Sequence, residues 1–287
     1  MLVCPGMDAV VTRFAPSPTG RLHLGHVFAA AFARDLARAA GSRYLVRIED
    51  LDFGRCRPEY EAAILDDLAW LGLAGDAAVR RQSQHLADYR AALDRLQALG
   101  VLYPCFCSRR RIAEEIRASA GAPQGPEGPH YPGICRGLSA AERRLRVAGG
   151  ESYALRLDCA KAAALAGRAP GFVDEERGRF ALQPERFGDV ALARKELPAS
   201  YHLAVVVDDA LQGISLVTRG EDLLPATHVH CLLQSLLGLP TPRYRHHRLL
   251  SNAHGARLSK RDGAAAIEAL RRTGLQPAEV LALARSR

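Results

Sequence analysis

Lysine is nearly absent from this chain of 287 residues. Of its 39 basic residues only Lys161, Lys195 and Lys260 are lysines. Arginine carries the positive charge, and with the abundant alanine it fits a GC-rich coding bias as well as a binding function. Aromatic residues make up only 6%, with one tryptophan. No apolar run approaches the roughly 20 residues that span a bilayer. The first ten residues, MLVCPGMDAV, lack a basic region followed by an apolar stretch, so no secretory signal is expected. A disulfide framework is missing too. Seven cysteines are an odd number; Cys4, Cys56, Cys159 and Cys231 stand alone, while Cys105, Cys107 and Cys135 group together. Such usage fits a reducing compartment, so a cytoplasmic protein with no membrane partner is the expectation.

With 48% hydrophobic and 24% charged residues, the chain can build one large core with a smaller appended module, or two domains. A net charge of +8 favours an anionic partner, nucleic acid first. The most informative stretch is Arg13 to His26, RFAPSPTGRLHLGH. It starts as a strand (Val10, Val11, Phe14) and breaks at Pro16, Pro18 and Gly20. It ends at His23-Leu24-Gly25-His26, where an Ala-rich helix over 27–40 begins. A strand, a tight turn and a helix start put backbone N–H groups and a helix dipole where a phosphate would sit. Two histidines three apart add donors, and Gly25 permits close approach to the backbone. Alone, HxGH is also what a turn with surface histidines looks like.

Residues 44–48 (YLVRI) form a buried parallel strand by composition. In a βαβ unit its carboxyl end, Glu49, falls beside the turn. Helices are expected over 58–71 and 84–99, ended by Gly72 and Gly100. LYPCFC (102–107) opens a loop-rich module in which Cys105 and Cys107 precede YPGIC, with Tyr131 and Cys135. Grouped thiols in a piece with no periodic core suit structural zinc. Then come a helix over 139–147, a strand over 153–157, and short polar β segments over 171–190, with Asp174, Glu175 and Glu176 in a solvated hairpin. Residues 203–207 (LAVVV) are expected to be a buried strand ending at Asp208-Asp209, loop-fixing residues rather than metal ligands. Residues 214–218 are expected to be another, ending at Arg219. A helix over 223–237 and a strand over 244–250 follow. Next comes Arg257-Leu258-Ser259-Lys260-Arg261, and then 26 residues with two short helices, over 264–273 and 277–287.

These motifs together resemble the class I aminoacyl-tRNA synthetases. HLGH resembles their HIGH signature, RFAPSPTG narrows the likeness to the glutamyl and glutaminyl branch, and RLSKR resembles the KMSKS loop. The resemblance implies an α/β fold: a Rossmann-like parallel-sheet catalytic domain with a zinc-binding insertion. It implies that His23, Gly25, His26 and Lys260 bind ATP. His23 and His26 would stabilise the adenylation transition state, and Lys260 the charge on the leaving pyrophosphate. Glutamate would be held by Arg13, Ser17, Glu49, Tyr201 and Arg219. The CxC…YxxxC pattern implies one structural Zn2+ on Cys105, Cys107, Tyr131 and Cys135, with His130 the alternative fourth ligand; Mg2+ would accompany ATP. The expected division is 8–100 and 191–287 for the two halves of the catalytic domain and 101–190 for the insertion. The short tail after Arg261 leaves no room for an anticodon-binding domain. It points to the truncated paralogues that activate L-glutamate with ATP and transfer it to queuosine in the anticodon of tRNA(Asp). The alternative is a minimal glutamyl-tRNA synthetase charging a tRNA 3′ end. A monomer is the default expectation.

Overall fold

The computed structural model describes residues 10–118, 124–125, 128–167, 171–250 and 266–286. The first half runs β1 (Thr12–Phe14), α1 (Leu24–Ala39), β2 (Tyr44–Ile48), α2 (Pro58–Trp70), β3 (Arg80–Arg81) and α3 (Leu86–Ala98). Strand β1 is short because the prolines at 16 and 18 have no N–H to continue a ladder. Helix α1 is built from good helix formers, and Pro58 opens α2 at a position where its missing N–H is harmless. The middle holds β4 (Leu102–Cys105), α4 (Arg109–Ala118), β5 (Gln124–Gly125), β6 (Gly128–Pro129), α5 (Ala140–Ala148), β7 (Ala154–Leu157), α6 (Cys159–Ala166), β8 (Phe172–Asp174) and β9 (Gly178–Phe180). The last part holds β10 (Ala191–Arg194), α7 (Tyr201–Leu211), β11 (Leu216–Gly220), α8 (Thr227–Leu236), β12 (Arg243–His247), α9 (Ile267–Arg272) and α10 (Pro277–Ser286).

Parallel pairing links β1 to β2 and β2 to β3, and separately β11 to β12 and β12 to β8. The two sets meet at β1. Ser215 and Leu216 donate their N–H groups to the Val11 carbonyl at 3.1 and 3.2 Å, and Ser215 Oγ accepts from the Val11 N–H. The carboxyl ends of β1 and β11 are therefore neighbours, with β2 and β12 outside them. Such an edge is where open α/β sheets take ligands. Strands β4, β7 and β10 make a separate antiparallel sheet that carries the cysteine module.

Two expectations are corrected. Residues 203–207 are not a strand: they lie inside α7, and every residue from Leu203 to Asp209 is buried. Three consecutive valines favour a strand locally, but β-branched residues cost a helix only tenths of a kcal/mol each. A helix enclosed between α3 and α8 recovers far more by burial. Asp208 and Asp209 thus ride on a buried helix. Asp174 is not solvated either. It is 1% exposed at the end of β8, whereas Glu175 and Glu176 keep partial exposure and pair with Arg243 and Arg245.

Helices α9 and α10 bring the chain back onto α1 and α2. Ile267 donates its N–H to the Leu22 carbonyl at 3.0 Å, and Arg271 pairs with Asp66 at 2.8 Å. Beside that pair Asp67 is 3% exposed, and its Oδ2 has no partner among the described residues. Burial, and then the Asp66 charge, push its carboxyl up to about 6. The folded protein thus binds this proton more tightly than the unfolded chain. Asp67 supports the fold below the ordinary aspartate range and loses that support as pH rises through about 6. At pH 8 its ionisation costs on the order of 2–3 kcal/mol. Asp67→Asn is expected to raise the thermal midpoint by several degrees at pH 8 and by nothing at pH 4. Equal midpoints at pH 8 would contradict the assignment.

Candidate active site

The turn into α1 is closed by its two histidines. His23 is the N-cap, and its Nδ1 accepts from the Gly25 N–H at 3.1 Å. His26, three residues on, accepts the His23 N–H on its own Nδ1 at 3.2 Å. This is a capping box with imidazoles in place of the usual hydroxyl and carboxylate. Because both Nδ1 atoms accept, a neutral ring at either position carries its proton on Nε2. The rings lie together, with centroids 3.8 Å apart. Gly25 has a physical reason to be glycine. A Cβ there would come within 3.0 Å of His23 Cε1, so the His23 ring occupies the space a side chain would need. The His23 backbone also bridges to Ala266, where the chain re-enters the described residues after the RLSKR segment. Lys260, Arg257 and Arg261 lie outside the described residues.

Arg13 and Glu49, at the carboxyl ends of β1 and β2, are held by a buried ionic network. Arg13 gives Nε and Nη2 to the two oxygens of Asp209, at 2.9 and 3.2 Å, and Nη1 to the Thr218 carbonyl at 3.0 Å. Arg47, fully buried, bonds Asp209 at 2.7 Å and Glu49 Oε1 at 3.1 Å. Its Nε stands 3.6 Å from Asp208, which also takes bonds from Arg80, Gln82 and Tyr89. Burial alone would raise the Asp209 pKa, but Arg13 and Arg47 overcome it and hold the carboxyl low. For Glu49 burial wins and the pKa is raised, Arg47 and Arg13 offsetting only part. Only Oε1 of Glu49 is paired among the described residues, so Oε2 remains to accept from a ligand. The Glu49 N–H reaches the Pro16 carbonyl at 3.0 Å, which ties this residue to the RFAPSPTG turn. Ser17, next in that turn, is exposed, and its hydroxyl makes no bond among the described residues.

Arg219, at the end of β11, is 7% exposed and bonded to neutral groups only. Nε donates to His246 Nε2 at 3.1 Å, and Nη1 donates to His230 Nδ1 at 3.1 Å and to the Tyr201 hydroxyl at 3.3 Å. Nη2 donates to Thr227 Oγ1 at 2.6 Å. Among the described residues no carboxylate touches it. The surrounding imidazoles are held neutral: burial, then the Arg219 charge, lower His202 and His246 to about 4 and His230 well below the ordinary range. One Nη2 proton has no partner among the described residues, and the Tyr201 hydroxyl, accepting from Arg219, keeps its own proton to donate. Burial raises the Tyr201 phenol, and the Arg219 charge offsets part of that rise. Of the expected residues, Arg13, Glu49, Tyr201 and Arg219 thus stand at the carboxyl edge of the parallel strands. Arg47, His246, His230 and Thr227 join the site without a local motif to mark them, and Asp209, expected to fix a loop, instead anchors Arg13 and Arg47.

The cysteine module supplies a second centre. The Sγ atoms of Cys105, Cys107 and Cys135 lie within 4.8 Å of one another. The Tyr131 hydroxyl is 3.3 Å from Cys105 Sγ and 3.6 Å from Cys107 Sγ, and Cys107 and Cys135 are 3.5 Å apart. Tetrahedral zinc with Zn–S of about 2.3 Å separates its donors by roughly 3.5–3.8 Å, so three thiols and the phenol fit. His130 is turned away, with Nε2 2.5 Å from the Arg186 carbonyl.

Residues 9–287 match the family model for tRNA synthetases class I (E and Q), catalytic domain. The chain belongs to this family. It is 49% identical, over 94% of its length and 98% of the relative's, to a glutamyl-Q tRNA(Asp) synthetase of Rhodobacter capsulatus. It is 46% identical to another of that description from Nocardia farcinica, covering 94% and 82%. Among solved structures, a glutamate tRNA ligase from Elizabethkingia meningosepticum aligns with a TM-score of 0.73 and 27% identity, covering 89% of this chain. The chain spans about half of that ligase, 53% of its length. As a class I synthetase relative, the protein is a ligase.

Gly25→Ala is expected to shift the His23 ring in its cap and lower ligase activity several-fold, with a small change in thermal midpoint. A normal rate would show that the ring position is irrelevant.

Proposed function

We propose that this synthetase-family chain activates L-glutamate with ATP and transfers the glutamyl group to queuosine in the anticodon of tRNA(Asp). The observation that carries the glutamate part is Arg219, a buried cation that among the described residues is bonded to neutral acceptors alone. A buried charge without a counter-ion is costly, and a ligand carboxylate supplies one. The remaining protons of Arg219 and Tyr201 present donors to the substrate side chain, so a carboxylate is accepted there and a carboxamide would set its NH2 against donors. Glu49 Oε2 suits the substrate ammonium group, Arg13 its α-carboxylate, and Ser17 lies in the turn between them. The polynucleotide part is supported by the names of the relatives that this chain matches over most of their length.

In the first step an oxygen of the glutamate α-carboxylate attacks the α-phosphorus of ATP. The Pα–O bond to the β-phosphate breaks and pyrophosphate leaves. His23 and His26 direct Nε2–H groups, with the α1 N-terminus behind them, at the phosphates, and Lys260 is assigned to the leaving group. Mg2+ accompanying ATP would neutralise phosphate charge. In the second step a queuosine hydroxyl attacks the acyl carbon, AMP leaves, and the hydroxyl proton goes to solvent. No side chain is a nucleophile, so catalysis rests on positioning and charge stabilisation. Zinc on Cys105, Cys107, Tyr131 and Cys135 would brace the inserted module and takes no part in either step.

Glutamate-dependent ATP–pyrophosphate exchange should proceed with no tRNA present. Exchange that begins only when tRNA(Glu) is added would favour a minimal glutamyl-tRNA synthetase, and exchange indifferent to glutamate would refute the amino-acid assignment. His23→Ala should slow exchange far more than it weakens glutamate binding; equal losses would count against the phosphate role. Cys105→Ser should lower the zinc content, measured per chain by mass spectrometry, from one to well below one. Full occupancy would remove Cys105 from the ligand set.

A further inference from the structure

Asp174 sits at the end of β8, whose partner strand is β12, and neither the motifs nor the substrate contacts above use it. Its Oδ2 is 2.7 Å from His246 Nδ1 and also accepts the His246 N–H at 3.1 Å. Its Oδ1 accepts the N–H groups of Glu176 and Arg177, at 3.1 and 2.9 Å. Both Asp174 and His246 side chains are fully buried. A carboxylate so placed can only accept, so His246 Nδ1 must donate. At the other edge of the ring, Arg219 Nε can only donate, so His246 Nε2 must accept. The two ends impose the same tautomer, and a protonated ring would set Nε2–H against the guanidinium. Thr227 Oγ1, 3.3 Å from His246 Nε2, closes the arrangement by also holding Arg219 Nη2. Asp174, which also pairs with Arg177 at 3.7 Å, thus stays one ring away from Arg219, and among the described residues no carboxylate meets the open side of the guanidinium.

We propose that Asp174 and His246 are positioning residues for amino-acid selection: the carboxylate fixes the imidazole tautomer, and the imidazole aims Arg219 so that its unneutralised side meets the substrate side-chain carboxylate. The selection part rests on the glutamate reading of the Arg219 pocket; the tautomer part does not. A carboxylate in direct contact with Arg219 would neutralise the selector, and removing the relay would let the fork turn. The low proton affinity of His246, set first by burial and then by Arg219, keeps the relay intact across the neutral range.

The test uses the full chain and three variants: His246→Leu, His246→Gln and Asp174→Asn. Glutamine at 246 can present a carbonyl oxygen close to where Nε2 accepts; leucine cannot. In amino-acid-dependent ATP–pyrophosphate exchange, His246→Leu should raise the glutamate KM and narrow the preference for glutamate over glutamine, each at least tenfold, with the ATP KM within twofold. His246→Gln should recover most of that preference. In 15N spectra of the unliganded protein His246 should show the Nδ1–H tautomer, and Asp174→Asn should introduce the Nε2–H form. An unchanged preference in His246→Leu, or a folded His246→Gln as impaired as His246→Leu, overturns the proposal. If His246→Leu does not fold, a preference unchanged in Asp174→Asn overturns it instead, and a narrowed one supports it. If the unsubstituted chain ignores glutamate, the glutamate reading and the selection claim fall together. The spectra then judge the relay alone: Nδ1–H supports it and Nε2–H overturns it.

Discussion

The carboxylate of Asp209 ties together three segments that are far apart in sequence. From α7 it takes two bonds from Arg13 on β1 and one from Arg47 on β2. Around it Arg13, Arg47 and Arg80 face Asp208, Asp209 and Glu49, so three guanidinium groups meet three carboxylates in a region almost closed to water. Buried charges persist only when paired, and breaking one such pair costs about 3–5 kcal/mol. Arg47 shows the balance: burial opposes its charge, but Asp209, Glu49 and Asp208 outweigh it and hold its pKa above the ordinary arginine value. The network fixes where Arg13 and Glu49 point before any ligand arrives, which is the preorganisation a positioning catalyst needs.

Arg219 obeys the opposite rule in the same pocket. Arg13 is matched by a bidentate carboxylate; Arg219 is surrounded by two imidazoles, a phenol and a threonine hydroxyl. One guanidinium is charge-paired within the fold, with two N–H protons still to give, and the other meets no carboxylate among the described residues. Residue type cannot distinguish them, because both are arginines at the ends of apolar strands. The difference lies in what the neighbouring helices bring: α7 turns Asp209 to Arg13, and α8 turns His230 and Thr227 to Arg219.

The inserted module shows the same division of labour on a smaller scale. Cys105 and Cys107 are adjacent by sequence, but Tyr131 and Cys135 reach them across the loop that precedes α5. The phenol faces the thiols while the neighbouring His130 is drawn to the Arg186 carbonyl. Both residue types are plausible ligands by chemistry. Which one faces the sulfurs is decided by the backbone path and by the acceptor waiting on the other side.

Sequence alone determined whatever is local. The prolines and glycines of the RFAPSPTG turn, the helix start at the two histidines, the apolar run of β2 and the Cys105–Cys107 pair all act within a few residues, so they are legible without a fold. Among only three lysines, Lys260 falling in RLSKR is equally visible. Tertiary structure decided the rest. It made residues 203–207 a helix, because the enclosure of α7 outweighs the small β preference of its valines. It moved Asp174 from a solvated hairpin to a buried anchor for His246, because β8 pairs with β12. It also set the His23 ring against the place where a side chain at Gly25 would stand. In each case the deciding interaction is with a group at least twenty residues away or with a ring folded back over the backbone, and the spacing of residue types carries no record of either.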